Sequence, residues 1–273
     1  MSLFTIDRDK CMKDFICAAE CPMGIIATKK GRNPEPIDGA EKLCINCGHC
    51  VAVCPHGALS LNTMAPASCA PVDKDLLPTT GQLKHLILTR RSTRVYKDKT
   101  IEKEKLARII DTARYAPTGK NTQLIDWLVI SRKEVLTNLV EQTIDWMRHL
   151  LAKDDPMAAA FGLARVVSAW DEGFDPILRS APCLIVMHAP KTYDGGVIDS
   201  TIGLTTFELT AASENLGTCW AGFFFLGATH WKPLQKTLEL PVANAITGAM
   251  MAGYPKHRYQ RIPLRNDARV TWR

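Results

Sequence analysis

The sequence predicts an α+β protein in two parts, a small cysteine-bound head and a larger body whose mixed sheet is flanked by helices. Three observations predict it. Seven of the ten cysteines fall within the first 54 of 273 residues. A stretch rich in proline and small residues, 63–82, follows with no periodicity. Beyond it, helical and extended apolar patterns alternate, as in a layered domain. The hydrophobic fraction of 46% and the charged fraction of 23% exclude disordered, collagen-like and coiled-coil classes. No run of 18 apolar residues is present, so no membrane span is expected. The N-terminus has no apolar signal core, which argues against secretion and for a cytoplasmic setting. There, clustered cysteines serve metal or redox chemistry more readily than disulfides.

The head, 1–62, is read from its cysteine spacing. Cys44-x-x-Cys47-x-x-Cys50-x-x-x-Cys54-Pro55 matches the bacterial iron–sulfur pattern at every position. Three thiolates at intervals of three wrap one cluster, and the fourth, before proline, serves another. Zinc would take two separated cysteine pairs, so the spacing favours iron–sulfur over zinc. Cys11-x-x-Asp14-x-x-Cys17-x-x-x-Cys21-Pro22 is an altered copy, with an aspartate where a cysteine is expected. His49 and His56 beside these motifs read as neighbours of the ligands or as exposed residues, Cys69 as a spare thiol, and Cys183 as core.

These motifs resemble the two-cluster bacterial ferredoxin family over about residues 3–62, which implies a ferredoxin-like 2(4Fe–4S) domain. The resemblance implies one cluster on Cys44, Cys47, Cys50 and Cys21. It implies a second on Cys11, Cys17 and Cys54, with Asp14 at its fourth corner. A carboxylate is a harder ligand than a thiolate, so that site holds either a 4Fe–4S or a 3Fe–4S cluster. The plainer alternative is a solvated Asp14 beside an empty site.

Residues 63–82 read as the linker and 83–273 as the body. Leu106, Ile109, Ile110 and Ala113 define one face of a helix capped by Thr100 and followed by Pro117. Residues 127–130 and 183–187 are short apolar runs, as in buried strands. Residues 134–151 return to helical spacing. Residues 200–216 form a helix with Ile202, Thr206, Leu209, Ser213 and Leu216 on one face and Gly217 as its stop. Thr218 to Phe225 and Ala245 to Ala252 are further strand candidates.

The net charge of +6 lies wholly beyond the head, which carries seven basic and seven acidic groups. Residues 84–105 hold eight basic and three acidic groups, and 254–273 hold six and one. Arg90-Arg91-Ser92-Thr93-Arg94 offers three guanidinium groups and two hydroxyls, suited to bidentate phosphate contacts. On charge alone such a run is more often a solvated face.

The run is followed by a helix and then by Ala116-Pro117-Thr118-Gly119-Lys120-Asn121-Thr122-Gln123. With Gly217-Thr218-Cys219-Trp220-x-Gly222 and Gly253-Tyr254-Pro255 in order, residues 84–273 resemble the nitroreductase-like FMN flavoproteins. The resemblance implies a nitroreductase-like α/β sandwich. It implies that Arg90, Arg91, Ser92 and Arg94 hold the FMN phosphate and the pyrimidine edge of the ring. It further implies that Pro117, Thr118 and Asn121 contact the flavin of the other subunit of a homodimer. Ala221 and Gly222 would lie near the flavin N5, and Arg261 and Arg265 would be phosphate-binding candidates. Trp220, Phe223, Phe224 and Phe225 suit an apolar flavin pocket. The sequence shows no Gly-x-Gly-x-x-Gly between a strand and a helix and no Ser/His/Asp grouping, so no catalytic side chain is assigned. His188 and His230 read as structural.

A ferredoxin-like head on a flavoprotein body implies an electron relay. A low-potential donor such as ferredoxin would charge the clusters, which would reduce FMN. FMN would then reduce a nitroaromatic, quinone-like or other unsaturated small molecule. The alternatives are reductive dehalogenation, flavin fragmentation, or a non-catalytic redox sensor or electron carrier. No nucleic-acid motif accompanies the basic charge.

Overall fold

The computed structural model describes residues 2–273, and the chain divides into two units. The first unit comprises residues up to Leu77 together with Thr118–Gln123, and the second comprises Pro78–Pro117 and Leu124–Arg273.

The first unit is built from very short elements. They are β1 (Phe4–Ile6), α1 (Ile16–Ala19), β2 (Ile26–Ala27), β3 (Glu35–Pro36), α2 (Ala40–Leu43), α3 (His49–Ala52) and β4 (Leu59–Leu61). β1 pairs antiparallel with β4, and β2 with β3. The two halves repeat one backbone device. Lys13 and Phe15, flanking Asp14, have φ of 58° and 60°; Asn46 and Gly48, flanking Cys47, have 52° and 72°. The second of each pair, Phe15 or Gly48, then opens a four-residue helix, α1 or α3. The core is small: Phe4, Cys17, Ile25, Ile26, Ala40, Val51, Leu59 and Leu61. A core of this size stabilises little by burial, so such heads rely on ligation for the rest.

Residues 63–82, expected as a plain linker, carry two 3-10 turns, Pro66–Ser68 and Lys74–Leu76, and the start of α4 (Thr80–Thr89). Thr79 accepts the Gln82 N–H, and the Gln82 side chain accepts the Thr79 N–H at 2.8 Å. This reciprocal cap starts the helix where proline content suggested only loop.

The second unit continues with α5 (Lys103–Ala113), β5 (Asp126–Ile130), α6 (Lys133–Ala152), α7 (Pro156–Ala160) and α8 (Leu163–Asp171). Then come β6 (Cys183–Pro190), α9 (Gly196–Ser213), β7 (Gly217–Trp220), α10 (Gly222–His230), α11 (Lys232–Thr237) and β8 (Asn244–Gly253). The four strands lie in the order β5-β6-β8-β7, each pair antiparallel. Ser92 adds a parallel bridge to Thr218, which makes the sheet mixed. One face packs on α6, α8 and α10 through Leu139, Ile144, Met147, Leu163 and Phe224. The other packs on α5 and α9 through Ile109, Leu204, Phe207 and Ala211. The fold is therefore α+β, with helices on both faces of the larger sheet. Among the described residues, no helix is long and apolar enough to cross a membrane.

Four local expectations are corrected. The strand expected at Thr218–Phe225 ends at Trp220, because Gly222 opens α10 and Phe224 turns into the core. The cap of α5 is Glu102, not Thr100, and Glu102 accepts hydrogen bonds from Tyr254 and Lys99 instead of capping with its side chain. The stop of α9 is Asn215, at φ 61°, not Gly217. The Asn215 and Leu216 N–H groups close on the Ala212 and Ala211 carbonyls, a Schellman ending. The face of α9 that is buried centres on Ser200, Gly203, Leu204, Phe207, Glu208 and Ala211, while Ser213 is exposed. That helix is apolar nearly all round, so periodicity alone does not fix which side turns inward.

Candidate functional site: two cysteine sets and two clefts

In the first unit, Cys21, Cys44, Cys47 and Cys50 ring a small apolar cavity walled by Leu3, Phe4, Ile25, Ile26 and Leu61. Burial pushes the Cys50 thiol up to about 11, and the charges of Cys47 and Cys21 add to the shift against backbone hydrogen bonds. Burial likewise raises the Cys17 thiol, helped by nearby Asp14, Cys54 and Cys11 against the Ala18 N–H. The structure thus brings together two sets, one of Cys44, Cys47, Cys50 and Cys21 and one of Cys11, Asp14, Cys17 and Cys54. Each set takes its last cysteine from the other motif.

The donor chemistry fits iron–sulfur clusters. Crowded thiols in an apolar wall resist ionising until a cation shares their charge. Among the described residues, no three His, Cys, Asp or Glu side chains converge on a single ion. Thiolates spaced around a cavity suit a multi-atom cluster instead. The Asn46 N–H points at Cys44 Sγ at 3.4 Å and the Ala58 N–H at Cys54 Sγ at 3.3 Å. Such donors stabilise charge on ligating sulfur. Asp14 accepts the Ile16 N–H at 3.3 Å and stands at the position equivalent to Cys47. His49 lines the cavity and its Nδ1 lies 3.4 Å from the Cys47 carbonyl; His56 is exposed.

In the second unit, the arginine run is shared between two clefts, so its side chains do not converge on one point. Arg90 and Arg91 line a cleft of about 810 Å³ with Thr93, Lys97, Gly217, Tyr254, Arg258 and Tyr259. Arg90 donates to Glu208 at 3.0 Å, and Arg91 lies over the Tyr259 ring at 5.8 Å. Arg94 lines another cleft, of about 440 Å³, with Phe161, Arg179, Cys219, Trp220, Gly222, Phe223, Phe225 and Leu226. Ser92 lies against the Cys219 thiol, whose pKa burial raises against the Arg94 charge and the Ser92 hydrogen bond. Two guanidinium groups and aromatic walls suit a planar ligand with an electron-rich edge. Helix α10 starts at this cleft with no side-chain cap on Ala221, which leaves its first N–H groups for a ligand. These features fit an isoalloxazine ring. Among the aromatic residues expected there, Phe224 is instead fully buried in the core.

Four predicted residues sit elsewhere. Arg261 and Arg265 lie on the exposed C-terminal chain and line neither cleft, whereas Arg258 does. Asn121 lies in the first unit, where its side-chain amide donates to the Ile45 and Asn46 carbonyls. Thr118 is in the same segment, and its hydroxyl accepts the Gln123 N–H at 3.1 Å. Sequence reasoning missed Glu208, the buried partner of both Arg90 and Thr218. A carboxylate between Phe207 and Ala211 was its signal. It also missed Arg179, which enters the cleft from two successive left-handed residues, Arg179 and Ser180.

The fold and site define a flavoprotein-like α/β body preceded by an iron–sulfur head. The model described as the nitroreductase family matches residues 87–254, and a 4Fe–4S dicluster domain matches residues 9–59. The chain belongs to the nitroreductase family, with a 4Fe–4S dicluster domain preceding the family's own. It is 30% identical over 172 residues to an Archaeoglobus fulgidus protein, covering 63% of this chain and 84% of that protein. That protein's provisional name is NADH dehydrogenase/NAD(P)H nitroreductase. A nitroreductase with bound FMN from Desulfitobacterium hafniense superposes with a TM-score of 0.58 at 23% identity, covering 71% of this chain and 99% of that one. One from Bacteroides fragilis, also with bound FMN, gives 0.59 at 20%, covering 71% and 100%. At these identities the two structures speak for the fold of the second unit. Family membership makes the chain an oxidoreductase.

Proposed function

We propose that the chain is an FMN-dependent oxidoreductase in which two iron–sulfur clusters relay electrons from a low-potential donor protein to FMN. The reduced enzyme would act on a nitroaromatic, quinone-like or other unsaturated small molecule. The observation that carries this reading is the pairing of two cysteine sets, in a dicluster domain, with an aromatic and arginine-lined cleft in a nitroreductase-family body. FMN bound in that cleft would supply the change from single electrons to the electron pair an organic acceptor needs.

The chain's own groups have definable parts in this reading. Arg94 holds positive charge at one edge of the cleft without ever losing its proton. Trp220, Phe223 and Phe225 would help keep water from a ring bound in the cleft. Gly222 has open space before its Cα, so the backbone at the start of α10 can be approached closely. Arg90, Arg91 and Arg258 gather positive charge in the larger cleft, suited to a phosphate. Arg261, Arg265, Pro117, Thr118 and Asn121 would complete the site across a homodimer. The exposed apolar residues Leu83, Ile87 and Leu88 on α4 and Leu264 and Trp272 on the C-terminal chain support such an assembly.

Iron, sulfide and flavin analysis of anaerobically purified protein, with EPR of the reduced state, tests the reading. The expected result is one flavin per chain and two interacting reduced clusters. Flavin without any EPR-active cluster would overturn it.

A further inference from the structure

The segment 118–123 is joined by peptide bonds to the second unit at Pro117 and Leu124, yet it belongs to the first. Its anchor is Asn121. The Asn121 side-chain amide donates to the Ile45 carbonyl at 3.2 Å and to the Asn46 carbonyl at 3.0 Å. Ile45 and Asn46 are the two residues between ligand positions Cys44 and Cys47. The peptide between them is bonded at both ends. Its carbonyl accepts from Asn121, and its N–H points at Cys44 Sγ at 3.4 Å. The Thr63 hydroxyl holds the Asn46 side chain from the other side, donating to its Oδ1 at 2.5 Å. Asn46 sits at φ 52°, a left-handed conformation that asparagine adopts more readily than most residues.

From this geometry we infer that Asn121 is a positioning residue for the cluster of Cys44, Cys47, Cys50 and Cys21, and that this cluster is the relay's exit to flavin. The inference rests on the reading above, which places the segment of Thr118 and Asn121 at the flavin. A donor on a peptide carbonyl polarises the amide and strengthens the hydrogen bond its N–H makes. An N–H bond to a ligating sulfur stabilises the reduced, more negative cluster and so raises its potential. Asn121 therefore holds the exit cluster at a higher potential than its ligands alone would set. Electrons arriving from the Asp14-containing site are drawn to the cluster tied to the flavin-side segment. In each transfer the reduced cluster loses one electron and the flavin gains one. Two transfers with two protons from water complete the flavin's reduction, at the expense of two equivalents of the one-electron donor protein.

Anaerobic redox titration followed by EPR tests this on the holoprotein, comparing wild type with Asn121→Ala and Asn121→Asp. Asn121→Asp keeps the side chain's shape and removes its donor. The expected result is a midpoint potential shifted down for the Cys44-containing cluster and unchanged for the other. Donor-driven bleaching of the flavin should slow in parallel. An unchanged midpoint, or a shift in the other cluster alone, overturns the inference while leaving the relay standing. A wild-type flavin that the donor cannot reduce overturns the relay itself. Should both variants fail to fold, hyperfine spectra of the reduced wild-type cluster decide. The exchangeable Asn46 amide proton must couple to it, and its absence overturns the assignment.

Discussion

Asp14 concentrates the chemistry of this head in one side chain. It stands where the second motif has Cys47, between two left-handed residues that repeat the backbone there. Its carboxylate is occupied locally, accepting the Ile16 N–H at the start of α1. An oxygen ligand so engaged binds a soft iron corner weakly. Oxidation of the purified protein should release iron from this set first. Asp14→Cys restores a fourth thiolate, so its iron content after mild ferricyanide treatment should exceed the wild type's by about one atom per chain. Equal iron in the two proteins would show that Asp14 is no weak corner. In the second unit, Glu208 has the comparable weight. It is nearly buried and accepts from both Arg90 and Thr218, so it fixes the start of the arginine run against β7.

At the level of elements, the close approach of residues 92–93 to β7 decides what the arginines can do. Thr93 donates its N–H to the Thr218 carbonyl at 2.8 Å, and a Cβ on Gly217 would come within 2.3 Å of Thr93 Oγ1. Gly217→Ala should therefore destabilise the second unit by about 2 kcal/mol through overpacking. It should also weaken retention of flavin, because Ser92 and Arg94 move with Thr93. Denaturant unfolding and a flavin count check both, and a neutral substitution would show the run is not held by this contact. Much of this architecture was legible in the sequence. The runs at 127–130 and 183–187 are strands because they are continuous and apolar, and the helix at 134–151 kept its spacing. The reciprocal cap of Thr79 and Gln82 lies inside the stretch read as linker, where prolines and small residues leave no periodicity to mark a helix. The turn into α10 was hidden because three successive phenylalanines suit a strand or a buried helix equally. The division of the arginine run between two clefts goes with the pairing of Ser92 to Thr218, a contact 126 residues distant in sequence that no local pattern reports. The cysteine groupings that the structure gathers were legible from spacing, because cluster chemistry dictates spacing in the chain itself.

For the whole molecule, the apolar residues exposed on α4 and on the C-terminal chain call for cover. In the proposed homodimer a second copy supplies it and completes the flavin site. Replacing Leu83 and Ile87 together by glutamate should shift sedimentation from dimer to monomer and lower flavin content in step. A monomeric wild type with full flavin would remove the shared site from the account. The central claim concerns the path between the two halves, and donor-driven flavin reduction in a Cys47→Ser protein tests it most directly. The variant should keep its flavin, and reduced ferredoxin should bleach it at least tenfold more slowly than in wild type. Bleaching at the wild-type rate would contradict the relay.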